Sequence, residues 1–110
     1  MDTFAHLTKF EIMTVIVNYG LGSKVLKIAK ENGVQGGTVV YAKGTYRKPI
    51  LEFFELADVK KEIVWMIMPH EKIHPVMYAL DEKFKFKKPN HGILFVLPIA
   101  GFLGLGDYRY

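Results

Sequence analysis

The stretch Phe10 to Val17 is predominantly apolar on both alternating faces, with Phe10, Ile12, Thr14 and Ile16 on one and Met13, Val15 and Val17 on the other. A strand of that kind is buried on both sides. Turn chemistry follows at Asn18-Tyr19-Gly20-Leu21-Gly22-Ser23. Leu21, Val25, Ile28 and Ala29 then recur at helical spacing, with Lys24, Lys27 and Lys30 on other faces. Asn32-Gly33 ends that helix. A second strand is expected over Val34–Lys43 and a loop over Thr45–Asp58. A third strand, again apolar on both faces, is expected over Val59–Met68. A second helix begins near Pro69-His70-Glu71 and aligns Ile73, Val76, Met77, Leu80 and Phe84. Pro75 is expected in its first turn, where a missing N–H costs nothing. Lys85–His91 is a basic connector, and Ile93–Leu97 is the fourth strand.

The order βαββαβ defines an α+β, ferredoxin-like split βαβ domain, and residues 1–110 fit one such domain. Two helices cover one face of a four-stranded sheet. The apolar second face of the first and third strands is therefore expected to be buried against other copies of the chain.

Composition narrows the chemistry. Half of the residues are hydrophobic, so a packed core is expected. The chain has no cysteine, which excludes disulfides and thiolate metal sites and suits a cytoplasmic protein. Met1–Lys9 lacks the apolar core of a signal peptide. The uncharged stretch Ile93–Gly106 is too short for the roughly 20 residues of a membrane helix. The net charge of +4 suits an anionic ligand or a solvated surface equally.

Each candidate motif has a plain structural alternative. Gly20-Leu21-Gly22-Ser23-Lys24 can hold phosphate at a helix start, or form a tight turn with Ser23 near the cap. Lys83, Lys85, Lys87 and Lys88 attract phosphates or line a solvated connector. RNA stacking would use exposed aromatics such as Tyr41 and Trp65, but Trp65 falls in a strand expected to be buried. His70 and His74 lie four apart without an evident third metal ligand. The single serine, Ser23, has no activating base placed by the sequence. Catalysis therefore has little support, and no enzyme is expected.

The run Gly36-Gly37-Thr38-Val39-Val40-Tyr41-Ala42-Lys43-Gly44-Thr45-Tyr46-Arg47 resembles the strand that leads into the T-loop of the P-II family of nucleotide-responsive regulators. Lys27–Gly33 resembles the end of that family's first helix, Lys61–Val64 its third strand and Gly92–Pro98 its last core strand. The resemblance spans Phe10 to Pro98. It implies a homotrimer with its sheets packed inward and an adenine nucleotide (ATP, ADP or AMP) in each cleft between subunits. The residues it places around the nucleotide are Gly37, Thr38, Lys43, Gly44, Thr45, Arg47, Lys48, Glu62, Val64, Lys88, Asn90, His91 and Gly92. It implies a signalling role of the nitrogen-regulation type. The loop 45–58 would bind a target protein, often a membrane transporter or an enzyme, with Phe53, Phe54 and Leu56 on offer.

The chain departs from the family at several points. Tyr46 is not at the loop tip. Lys48 stands where the family holds magnesium and 2-oxoglutarate with a glutamine, and an ammonium cannot coordinate a cation. Ile93 replaces a phosphate-pairing lysine, and glycines at 101–106 replace arginines. Lys87, Lys88, Arg47, Lys48 and Arg109 are the cations left to meet phosphate charge. The alternative is a trimeric CutA-like or structural module with no nucleotide.

Overall fold

A computed structural model of the chain describes residues 10–42 and 60–103. Strand β1 (Phe10–Asn18) leads into helix α1 (Gly22–Glu31) and strand β2 (Thr38–Ala42). Strand β3 (Lys61–Pro69), helix α2 (His70–Phe84) and strand β4 (Ile93–Pro98) follow. The strands form one sheet in the order β2-β3-β1-β4, every neighbouring pair antiparallel. This is the expected α+β, ferredoxin-like arrangement.

Register sorts the side chains into rows. Val39, Val64, Val15 and Leu94 lie opposite one another across all four strands. They belong to the face the helices cover, where Met13, Val15, Val17, Val64, Met66 and Met68 pack against Val25, Ala29, Ile73, Val76, Leu80 and Phe84. The other face carries the rows Thr38–Trp65–Thr14–Phe95 and Val40–Ile63–Ile16–Ile93. No element of the described chain covers this face. Trp65 is 41% exposed there, contrary to its expected burial, and Phe95 and Leu97 are exposed beside it. Both faces are apolar, as the pattern required, and among the described residues the helices cover only one of them.

Three local expectations change. β2 begins at Thr38, not Val34. Val34 instead folds back on α1, donating its N–H to the Ala29 carbonyl at 3.0 Å and burying its side chain in the core. The bare backbone of Gly36-Gly37 separates that packing from the strand. Pro75 is the sixth residue of α2, beyond the first turn. The N–H it lacks would have met the carbonyl of Glu71, an exposed residue. Ser23 does not cap α1: the residue before the helix is Leu21, with no side-chain cap. The α1 C-terminus follows its signals, with Gly33 at φ +94° and Asn32 Nδ2 donating to the Ile28 carbonyl at 2.8 Å. No helix among the described residues is long and apolar enough to cross a membrane.

Candidate functional site

The start of α1 is a place where backbone N–H groups lack partners. Its first turn contains no acidic residue. The carboxylate comes from β3: Glu62 Oε1 accepts the Gly22 N–H at 2.6 Å. Glu62 is only 6% exposed. A Cβ on residue 22 would stand 2.6 Å from that oxygen, so the approach needs glycine. The phosphate reading of Gly20–Lys24 therefore meets a helix end already occupied by a protein carboxylate.

Beside it, Lys61 is 2% exposed and its Nζ donates to Asn18 Oδ1 at 2.6 Å. Burial lowers the Lys61 pKa from 10.5. Tyr19 and Tyr41 stack with ring centroids 5.5 Å apart and are 57% and 60% exposed. The Lys60 ammonium lies 5.8 Å from the Tyr19 centroid. The pKa of Tyr41 is raised from 10.0, first by the charge of Tyr19, then by its hydrogen bond to Tyr19 and by the charge of Glu62. Tyr41 lies opposite Glu62, whereas Trp65 belongs to the uncovered face. The two aromatics considered for RNA stacking thus stand on opposite faces of the sheet.

The loop from α2 to β4 is held by its own hydrogen bonds. Asp81 Oδ1 accepts the Phe86 N–H at 3.1 Å, and the Asp81 carbonyl accepts that of Lys85 at 2.8 Å. His91 Nδ1 donates to the Phe84 carbonyl at 2.8 Å, so its ring turns toward the end of α2. Asn90 and Gly92 adopt φ values of 64° and 116°. A Cβ at Gly92 would collide with the Ile16 carbonyl, so the loop passes β1 too closely for a side chain.

The residues of the expected nucleotide site divide into two groups. Gly37 and Thr38 stand at the start of the β2 edge, and Lys88, Asn90, His91 and Gly92 lead into the β4 edge. These edges are three strand spacings apart, roughly 14 Å. Glu62 lies on the inner strand β3 with its carboxylate engaged at Gly22, and the Val64 side chain is fully buried in the core. Lys43, Gly44, Thr45, Arg47 and Lys48, the loop 45–58 with Phe53, Phe54 and Leu56, and Arg109 lie outside the described residues. A single copy does not bring the two groups together. His70 Nδ1 lies 2.6 Å from Glu11 Oε1, and His74 packs near Tyr78. Among the described residues, no three potential ligands converge on a metal site.

The Glu62–Gly22 bond and the Tyr19–Tyr41 pair were not evident from the sequence. Their partners lie 40 and 22 positions apart, and the one signal was an acid-free first turn in α1.

The order β2-β3-β1-β4 with both helices on one face defines a ferredoxin-like α+β domain. Within that class, the chain has the PII-like fold. It superposes on PII from Arabidopsis thaliana bound to citrate with a TM-score of 0.64 and 22% identity, covering 84% of this chain and 79% of that one. CPII, a nitrogen regulatory PII-like protein from Thiomonas intermedia K12 bound to ADP, AMP and bicarbonate, gives 0.56 and 16%, with 80% and 84% covered. A PII-like signalling protein from Thermus thermophilus gives 0.59 and 17%, with 81% and 84% covered. No protein-family model and no curated protein sequence matches the chain.

Proposed function

We propose that this chain is a PII-like signalling protein that assembles as a homotrimer and binds a small anionic effector, an adenine nucleotide, in clefts between copies. The observation that carries the reading is the division of the expected site between the two edges of the sheet. Gly37–Thr38 and Lys88–Gly92 meet only if the β2 edge of one copy approaches the β4 edge of another. The uncovered apolar face around Trp65 supplies a reason for copies to associate.

The class of effector is supported by the ligands of the neighbours. ADP and AMP occupy the Thiomonas protein and citrate the Arabidopsis one, all of them anionic. The left-handed backbone at Asn90 and Gly92 suits the backbone concavities that take anions. Arg47, Lys48 and Lys88 would add charge. The effector would bind one state of the 45–58 loop more tightly than the other. That loop would then engage a target protein, such as a membrane transporter or an enzyme, in the cytoplasm. No catalytic role is assigned.

Calorimetric titration with ATP, ADP and AMP tests the reading. At least one should bind with Kd below about 1 mM, near −4 kcal/mol, and Thr38→Ala and Arg47→Ala should weaken it. Failure of all three nucleotides at that level would overturn the effector assignment.

A further inference from the structure

We propose that a pocket on the helix side of each single copy binds a small multivalent oxyanion. The cavity, of about 270 Å³, is walled by Asn18, Leu21, Lys24, Lys83, Phe84 and His91. It therefore gathers the end of β1, the start of α1, the last turn of α2 and the loop into β4.

The chemistry of the walls is one-sided. Two lysines and a histidine contribute, and among the described residues no acidic one lines the cavity. Among the described residues neither lysine forms an ion pair. Among the carboxylates on adjoining elements, Glu62 is engaged by Gly22 N–H and Asp81 by Phe86 N–H, and Glu31 and Glu82 do not line the cavity. Two ammonium groups around one small cavity repel each other, and an anion shared between them reverses the sign of that interaction. Asn18 is oriented by its bond from Lys61, which leaves its Nδ2 hydrogens for the Asn90 carbonyl at 3.5 Å and for the pocket.

His91 adds a conditional donor. Its Nδ1–H is committed to the Phe84 carbonyl. In the neutral ring Nε2 can only accept, and it becomes a donor to an anion only when the ring is protonated. The charged groups around it are Lys24 from α1, Lys83 from α2 and Lys88 on its own loop, whose carbonyl accepts the His91 N–H at 3.3 Å. The described walls of the pocket come from one copy, and the pocket shares only His91 with the proposed nucleotide site.

Amide chemical-shift titrations at constant ionic strength test the proposal with sulfate and with malonate. The amides of Leu21, Lys24, Lys83 and His91 should shift saturably with sulfate. Lys24→Gln and Lys83→Gln should each weaken binding about fivefold. Saturation by malonate alone would support the site and assign it to carboxylates. Saturation by neither, or equal affinity in wild type and the Lys24→Gln/Lys83→Gln double variant, would overturn it. Thr38→Trp, which obstructs the proposed cleft between copies, should leave sulfate binding intact, so the two readings fail separately.

Discussion

Glu62 Oε1 accepts the backbone N–H of Gly22 at 2.6 Å, joining β3 to the first residue of α1 across 40 positions of sequence. The bond is buried and the acceptor is a carboxylate at a helix N-terminus, which places it among the stronger hydrogen bonds. Glu62→Gln should cost about 2 kcal/mol of stability in urea unfolding. Gly22→Ala should cost a similar amount, because its Cβ meets the same oxygen. The double variant should lose little more than the worse single one. Additive losses would mean that the two residues act independently.

Trp65 stands in the centre of the uncovered face, opposite Thr38 and Thr14. Replacing it with Asp should leave the helix-side core intact and give single chains of 12.6 kDa in sedimentation velocity, where wild type should sediment as the proposed homotrimer. Wild-type Trp65 should show the blue-shifted fluorescence of a buried indole, shifting red on dissociation. A wild-type protein that sediments as a monomer at micromolar concentration would refute association through this face.

The stacked tyrosines give a prediction in the alkaline range. The folded-state pKa of Tyr41 is above 10.0, so the fold favours the neutral phenol. That contribution is present below pH 10 and is lost as pH rises through the folded pKa. Lys61 acts in the opposite sense. Burial lowers its pKa, so its cost is present below the folded value and disappears as pH rises toward 10.5. Phenolate absorbance should show Tyr41 returning toward its ordinary value in Tyr19→Phe. The stability difference between wild type and Tyr41→Phe should shrink as pH passes 10. An unchanged Tyr41 titration in Tyr19→Phe would contradict the assigned cause.

The pattern of apolar positions carried most of the fold. Two-sided patterns at residues 10–17 and 59–68 marked β1 and β3 as strands buried on both faces, and helical spacing identified Val25, Ala29, Ile73, Val76, Leu80 and Phe84. Local signals failed where a distant contact overrode them. Val34 has the β-branched side chain of a strand residue, yet it packs on α1. Trp65 reads as buried because its strand is apolar on both sides, and that pattern does not say what provides the cover. The candidate site was legible as two groups of residues along the chain. Their separation on opposite edges emerges only from strand order, which register and pairing decide.

The central claim is that the effector site is completed between copies, and subunit mixing tests it most directly. Thr38→Trp obstructs the β2 side of the site, and His91→Trp obstructs the β4 side. Each alone should bind no nucleotide. Co-assembled in equal amounts, they should recover about one quarter of the wild-type sites, because one intact half from each of two different chains must meet. Recovery of no sites from mixed assemblies, with wild type binding normally, would contradict a site shared between copies.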